Sequence, residues 1–255
     1  MEIKNRVGIV TGGASGLGAA TAEMLHSNGG YVMIADLEVE RAKILAEKLG
    51  QGAAYCKMDV TDTKQVQAGI NQTLDTFGAI HILVNCAGAT CSMKTIGKDG
   101  PHDLNIFKKI IEINLVGTFD TLRLAAFHMQ ANEPNDDMER GVIVNTASVA
   151  AFDGQIGAVS YSASKAGVVG MTLPIARELA RSGIRVCTIA PGLFDTPMMA
   201  FLPAKAKISC DKQMLFPPRP GKPSEYAQLV KSIIENVMLN GETIRLDGGI
   251  RLPPK

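Results

Sequence analysis

Three side chains that could move a proton to or from an alcohol lie close together between residues 142 and 165. Tyr161 and Lys165 are four residues apart in a stretch of helical composition, so their side chains share one helix face. A free tyrosine has a pKa of about 10, and a nearby cation favours its ionised form. Ser148 follows a short apolar strand and could hold a carbonyl oxygen beside them. This arrangement indicates general acid–base chemistry on an alcohol.

The Tyr161/Lys165 pair also has a purely structural interpretation. A tyrosine and a lysine at helical spacing occur by chance in many proteins, and serine-rich loops often only cap helices. The rest of the chain therefore has to decide between the two interpretations.

Short apolar runs alternate with helical patterns along the whole chain. The runs predict strands at 6–10, 31–35, 53–58, 80–84, 142–146, 184–189 and 243–247. Helical patterns occupy 19–27, 38–49, 105–129 and 160–180, and another helix starts at a cap formed by Thr61 or Asp62. This alternation predicts a single doubly wound α/β domain over residues 1–255. We expect a parallel Rossmann-type sheet of about seven strands with helices on both faces.

Composition excludes several classes of protein. The 255 residues carry a net charge of +1, which argues against nucleic acid or an anionic membrane as the main partner. No apolar run approaches the ~20 residues that span a bilayer, and the N-terminus has no secretory signal. The five cysteines show no metal-ligand spacing, so no metal site is expected. We expect a soluble intracellular protein, cytoplasmic or, in a eukaryote, possible in the mitochondrial matrix.

A glycine-rich turn joins the first strand to the first helix. Residues 11–18 read TGGASGLG, which puts Gly12, Gly16 and Gly18 in the spacing G-x3-G-x-G. Glycines let the backbone approach a pyrophosphate closely, and the helix N-terminus offers free N–H groups. A lone glycine cluster can also be an ordinary turn.

An acidic residue ends the second strand. Asp36 lies about 20 residues after the glycines, where a carboxylate can bind the ribose hydroxyls of NAD and repel the 2′-phosphate of NADP. The alternative is a plain N-cap for the following helix. We favour the cofactor interpretation, with NAD as the cofactor.

Three further polar positions have both a functional and a structural interpretation. Asp59 follows the third strand, and the small residues of Asn85-Cys-Ala-Gly88 could let a loop lie under an adenosine or could form a simple turn. Asn114 lies in the middle of the 105–129 helix, where its amide needs hydrogen-bond partners. It either bridges backbone groups for structure or helps to hold a functional water.

Taken together, these motifs resemble the short-chain dehydrogenase/reductase family from end to end. The matching landmarks are Thr11-Gly-x3-Gly-x-Gly18, Asp59, Asn85-x-Ala-Gly88, Asn114, Ser148, Tyr161-x3-Lys165 and Pro191-Gly192. One departure is Cys86, where the family's N-N-A-G motif usually has asparagine. We expect a small local change there rather than loss of the site.

The resemblance implies a role for each matching residue. Tyr161 would be the general acid/base, Ser148 would orient the substrate oxygen, and Lys165 would hold the nicotinamide ribose and lower the pKa of Tyr161. Asn114 would support a water that leads protons out past Lys165. The cofactor-binding residues implied are Gly12, Ser15, Gly16, Leu17, Gly18, Asp36, Asp59, Val60, Asn85, Ala87, Gly88, Tyr161, Lys165, Pro191, Gly192 and Thr196.

A closer resemblance concerns the substrate. Segments such as NTASVAAFDGQIG, TIAPGLFDTPM and LNGETIRLDGGIR, and the extended loop at 91–105, are similar to those of type-2 3-hydroxyacyl-CoA dehydrogenases, also described as 17β-hydroxysteroid dehydrogenases. The resemblance implies NAD-dependent oxidation of a 3-hydroxyacyl-CoA in lipid metabolism. The alternatives are a hydroxysteroid or other secondary-alcohol dehydrogenase, and a binding or scaffold subunit that keeps the fold without turnover.

Two surfaces of the chain are expected to bind a substrate or another subunit. Methionines, phenylalanines and lysines interrupt the pattern at 195–216, which suggests a lid over a lipophilic acyl-CoA, with a surface helix as the alternative. Helix 160–180 carries small residues and could form a subunit interface with helix 105–129. The family resemblance implies a homotetramer, and packing within one chain is the alternative.

Overall fold

A parallel sheet of seven strands lies at the centre of the part described, which is residues 1–98, 100–200 and 214–254 of a computed structural model. Its strand order is β3-β2-β1-β4-β5-β6-β7, so the sheet grows in opposite directions from β1. The carboxyl ends of the strands at such a reversal are where open α/β sheets bind ligands. The strands are β1 Val7–Thr11, β2 Tyr31–Asp36, β3 Ala53–Lys57, β4 Ile82–Asn85, β5 Gly141–Thr146, β6 Ile184–Pro191 and β7 Thr243–Leu246.

Helices cover both faces of the sheet. They are α1 Gly16–Ser27, α2 Val39–Leu49, α3 Thr63–Phe77, α4 Leu104–Ile111, α5 Gly117–Met129, α6 Val159–Leu179, α7 Pro197–Ala200 and α8 Pro223–Glu235. Within the described ranges, no helix is both long enough and apolar enough to cross a lipid bilayer. The architecture confirms the predicted Rossmann-type α/β fold.

The strands are apolar because both faces of the sheet are covered. In β1, β4 and β5 every residue is buried, as expected for a parallel sheet between two helical layers. Alternate residues enter opposite cores: Val10 and Val84 pack in one cluster, whereas Ile9 and Leu83 pack in the other. The sheet is therefore packed on both faces, and these cores hold the strand ends in place.

The prediction of one regular helix over 105–129 was wrong in its middle. A π-helical segment, Glu112–Val116, separates α4 from α5, and Asn114 lies within it. A single-turn π segment inserts one extra residue and turns side chains to new directions. Periodicity does not reveal such an insertion, because both flanking stretches keep their helical pattern. The strand bounds also differ from prediction, by one residue in five strands, whereas β4 begins two residues later and β6 continues two residues further to Pro191.

The carboxyl end of α8 is fixed to the sheet by a buried arginine. Arg185 of β6 donates from Nη1 to the Ile233 carbonyl (2.7 Å) and from Nη2 to the Ile234 carbonyl (2.8 Å). Its Nε donates to Glu139 Oε1 at 2.7 Å. The cation thus satisfies carbonyls that a helix end leaves without partners and favours the negative end of the helix dipole. Helix α8 is therefore held firmly against β6.

Candidate active site

The predicted proton-transfer residues meet at the carboxyl end of β5. Ser148 lies two residues after the strand and begins a 3₁₀ turn, where its Oγ accepts from the Ala150 N–H at 3.1 Å. Tyr161 and Lys165 lie in the first turns of α6, and Lys165 Nζ is 5.9 Å from the centre of the Tyr161 ring. The structure therefore brings all three residues together. The helical spacing of the tyrosine and the lysine is confirmed.

The pKa of Tyr161 differs from the sequence-based expectation. Burial raises it above the ordinary value, and a hydrogen bond with Ser148 opposes that rise. Burial acts on Lys165 as well, and it lowers the pKa of that ammonium to about 8. With protein groups alone, the phenol therefore stays protonated at neutral pH.

The Lys165 ammonium is held by a main-chain oxygen that the sequence motifs did not identify. Lys165 is 4 % exposed, and Nζ donates to the Thr146 carbonyl at 2.7 Å. Thr146 is the last residue of β5, so the strand end fixes the ammonium in the site. A carbonyl has no side-chain signature, and only the fold places it there.

The predicted phosphate cradle is the glycine turn between β1 and α1. Gly12 and Gly16 have φ values of +60° and +51°, in the left-handed region that favours glycine. A Cβ on Gly18 would lie 2.1 Å from the Gly12 carbonyl oxygen, and one on Gly12 would lie 2.8 Å from the backbone of Ala87. The turn therefore needs glycine, and it presents the N-terminus of α1 for a phosphate to approach.

Four further predicted residues, Ser15, Thr196, Pro191 and Gly192, border this cradle. Ser15 is the N-cap of α1, and its side chain makes no capping hydrogen bond within the described part of the chain. A Cβ on Gly16 would lie 3.3 Å from the Thr196 side chain, so the loop after β6 closes over the turn. Pro191 ends β6, and Gly192 packs so closely on Asp247 that a Cβ there would lie 2.8 Å from the Asp247 Cβ. The loop thus reaches the phosphate cradle from the sheet edge.

Asp36 links the glycine turn to the end of β2. Its Oδ2 accepts from the Ala14 N–H at 2.9 Å, and its Oδ1 accepts from the Glu38 N–H at 2.9 Å. Glu38, rather than Asp36, is the N-cap residue of α2. The simple N-cap interpretation is therefore wrong. The carboxylate orders the glycine turn from the end of β2.

The side chains of Asn85 and Asp59 are engaged in hydrogen bonds within the chain. The Asn85 side chain is buried, and it accepts from Thr11 Oγ1 (3.3 Å) and donates to Asn145 Oδ1 (2.9 Å). Asp59 Oδ1 accepts from both the N–H (2.9 Å) and the hydroxyl (2.7 Å) of Thr61. Val60 packs against the start of α5, where a Cβ on Gly117 would lie 2.8 Å from it. These residues support the walls of the cradle.

Asn114 joins the loop after β4 to helix α6. Its Oδ1 accepts from the Ala89 N–H (2.8 Å), and its Nδ2 donates to the Ala89 carbonyl (2.9 Å) and to Ser164 Oγ (3.0 Å). Ser164 Oγ in turn donates to the Tyr161 carbonyl at 2.7 Å. The amide therefore bridges backbone groups, which is the structural alternative predicted for it. It also couples the cofactor loop to the helix that carries Tyr161 and Lys165.

The segment predicted to form a lid is described only at its ends. Met199 and Met214 are buried, whereas Leu215 and Phe216 are exposed. Asp195 N–H donates to the Gly221 carbonyl at 2.8 Å, so these two residues lie side by side. The lid prediction for 201–213, with its lysines, lies outside the described residues.

Comparison with known proteins gives a consistent result over the full chain. The family model described as "short chain dehydrogenase" matches residues 6–207. The chain is 56 % identical over 254 residues to 3-hydroxyacyl-CoA dehydrogenase type-2 of Drosophila melanogaster, covering 99 % of this chain and 100 % of the relative. It is 50 % identical over 255 residues to the human protein of the same name, covering 99 % and 98 %. A crystal structure of 3-hydroxyacyl-CoA dehydrogenase type-2 from Mycobacterium avium has a TM-score of 0.94 and 41 % identity, covering 98 % of both chains.

The contacts of Asn114 lead to a first prediction. Asn114→Ala removes three hydrogen bonds and leaves the Ala89 amide and Ser164 without these partners. We expect the free energy of unfolding to fall by about 1–3 kcal/mol and dinucleotide affinity to fall with it, because the loop after β4 loses its anchor. Urea denaturation and a fluorescence titration measure the two effects.

The matched control is Asn71→Ala, since Asn71 is exposed on α3. This substitution should change neither quantity. A loss of stability in Asn114→Ala with unchanged dinucleotide affinity would mean that Asn114 supports only the fold.

Proposed function

Because the chain belongs to the short-chain dehydrogenase family, we propose that it oxidises 3-hydroxyacyl-CoA thioesters to 3-oxoacyl-CoA with NAD. Membership makes it an oxidoreductase that uses a nicotinamide nucleotide. The observation that carries the proposal is the meeting of Ser148, Tyr161 and Lys165 at the end of β5, beside the glycine cradle. The substrate class is supported by the relatives, which share half or more of their residues with this chain and are named for it.

The protein's part in the reaction is to position the alcohol and to remove its proton. Tyr161, as tyrosinate, accepts the proton of the substrate hydroxyl, and Ser148 holds the same oxygen by a hydrogen bond. Lys165 holds its ammonium near the phenol and favours the tyrosinate only while it keeps its charge. The bound nicotinamide supplies the hydride acceptor. Asn114 fixes α6 against the loop after β4 and so keeps both residues in place.

The residues around the cradle fit a dinucleotide. The turn leaves no room for a Cβ at Gly12, Gly13 or Gly18, and it offers the start of α1 to a pyrophosphate. Asp36 presents a carboxylate at the end of β2. A carboxylate accepts hydrogen bonds from ribose hydroxyls and repels a 2′-phosphate, so we propose NAD rather than NADP.

Cofactor choice is tested by two substitutions of Asp36. Asp36→Ala should weaken NAD binding and ease the penalty against NADP, because both the charge and the bond to Ala14 are lost. Asp36→Asn keeps one oxygen able to accept from Ala14, so it should reduce the NAD preference with less disturbance of the loop. Kd values for both dinucleotides from isothermal calorimetry give the ratio, and equal affinity of the native protein for the two cofactors would contradict the assignment.

Substrate class is tested with a panel of acyl-CoA and steroid alcohols. We expect NADH production to be fastest with 3-hydroxyacyl-CoA, and Tyr161→Phe should lower kcat by about 100- to 10,000-fold because the proton acceptor is gone. NADH binding should persist in that variant. The rate of oxidation should rise with pH, since burial raises the pKa of Tyr161 and the tyrosinate forms only on the alkaline side.

Three outcomes of the panel separate the alternatives. Preference for a steroid alcohol would identify a hydroxysteroid dehydrogenase. Absence of turnover with bound dinucleotide would indicate a binding subunit. Near-native turnover in Tyr161→Phe would show that the tyrosine is structural.

We further propose that the chain forms a homotetramer through α5 and α6. Apolar side chains on α5 face outward, with Phe119 45 % and Phe127 66 % exposed. On α6, Ala163 and Ala166 are exposed and line a groove of about 710 Å³, whose walls include the exposed Ile96, Ile156 and Val159. A second copy that packs on these faces would bury them, which is the usual fate of large exposed apolar surface.

The interface is tested by placing charges on it. Phe119→Asp together with Phe127→Asp should lower the sedimentation coefficient of the native assembly, because a desolvated carboxylate opposes packing. Met238→Asp changes another strongly exposed apolar residue that lies outside both helices and should leave the assembly intact. A native protein that sediments as a monomer would refute the proposal.

A further inference from the structure

A fully buried tyrosine on α8 contacts the end of β5. Tyr226 has no exposed surface, its hydroxyl is 2.7 Å from Thr146 Oγ1, and its ring packs edge-on against Phe194. Cys86 Sγ lies 3.7 Å from the same hydroxyl. None of the motifs that define the proposed site includes Tyr226, and its position places a polar group in the core directly behind the strand end.

The direction of these hydrogen bonds follows from the number of protons. Thr146 Oγ1 has one proton and donates it to the Asn85 carbonyl at 2.6 Å, an oxygen that can only accept. The Tyr226 hydroxyl must therefore donate to Thr146 Oγ1, and the Cys86 thiol donates to Tyr226. Burial raises the pKa of both Cys86 and Tyr226, so each keeps the proton that this order requires. The result is a one-way chain from Cys86 to Asn85, in which each bond polarises the next.

Thr146 connects Tyr226 to Lys165. Its side-chain Oγ1 accepts a hydrogen bond from the Tyr226 hydroxyl, and its main-chain carbonyl accepts one from the Lys165 ammonium at 2.7 Å. Ser148 follows two residues later, so the same strand end also places that hydroxyl. Because α8 is fixed by Arg185, Tyr226 brings a rigid support to this point.

We propose that Tyr226 is a positioning residue that holds the Thr146 carbonyl on the Lys165 ammonium and thereby keeps Lys165 charged. The inference deepens the proposed function and rests on it for the role of Lys165 in proton transfer. The titratable groups that face the ammonium are Tyr161 from its own helix and Cys86 from the loop after β4. Tyr226 acts on it one hydrogen bond further away, through Thr146.

The test measures the lysine directly in the protein without added cofactor. ¹³C-labelled lysine gives an NMR titration of Lys165, assigned by comparison with Lys165→Met. In Tyr226→Phe the carbonyl is less well held, so we expect the pKa of Lys165, about 8 in the native chain, to fall by roughly half a unit. The readout needs no turnover, so a failure of the proposed reaction leaves this result interpretable.

Activity provides the second readout. A less charged lysine stabilises the tyrosinate less, so the pH at half-maximal kcat for oxidation should move upward in Tyr226→Phe. A shift of about half a unit corresponds to about a threefold lower kcat below the midpoint. KM for the alcohol should change less than kcat, because the described contacts of Tyr226 are with Thr146, Cys86 and Phe194 rather than with Ser148 or Tyr161.

Two comparisons separate positioning from general loss of stability. Thr73→Val removes another buried hydroxyl, which donates to the Gly69 carbonyl on α3. It should lower Tm but change neither the pKa of Lys165 nor the pH at half-maximal kcat. In a Thr146→Val background, Tyr226→Phe should have a much smaller effect on the Lys165 titration, since the hydrogen bond to Thr146 is gone and only the weaker contact with Cys86 remains. An unchanged Lys165 pKa in folded Tyr226→Phe, or additive effects in the double variant, would overturn the proposal.

Discussion

The register of four neighbouring strands is the constraint on which the site depends. Parallel pairing places Thr11, Asn85, Asn145 and Thr188 opposite one another near the carboxyl edge of the sheet. All four are buried; Asn85 bonds Thr11 and Asn145, and Thr188 bonds Thr172 of α6. An unpaired buried polar group costs roughly 1–3 kcal/mol, and a slip of one residue would turn these side chains to the other face. The polar row therefore fixes where the apolar core ends and the site begins.

The π segment lets the Asn114 side chain contact two neighbouring parts of the structure. Asn114 must contact Ala89 on the loop after β4 and Ser164 on α6 at once, while its own carbonyl accepts from Thr118 Oγ1 at 2.8 Å. An extra residue in the turn rotates the amide toward both neighbours, and the next regular turn of α5 then resumes. The irregular helix geometry at this point therefore lets one side chain join the loop after β4 to α6.

The sequence predicted the parts of the site that depend on local pattern. Alternating apolar runs gave the sheet, TGGASGLG gave the turn, and the spacing of Tyr161 and Lys165 gave their shared helix face. It did not predict contacts between distant segments: Tyr226 is 80 residues from Thr146, and Cys86 is 140 residues from Tyr226. Nor could it predict that burial would raise the pKa of Tyr161. Desolvation depends on everything packed around a group, and no motif records it.

Burial shifts the pKa values of Lys165 and Tyr161 in opposite directions. The pKa of Lys165 falls to about 8 while that of Tyr161 rises, so with protein groups alone the lysine loses its proton before the tyrosine does. A tyrosinate stabilised by an ammonium is then available only if hydrogen-bond acceptors hold the lysine charged against its desolvation. The Thr146 carbonyl is the acceptor that the fold supplies. In the proposed reaction, the placement of this main-chain oxygen at the end of β5 therefore matters as well as the Tyr161 hydroxyl.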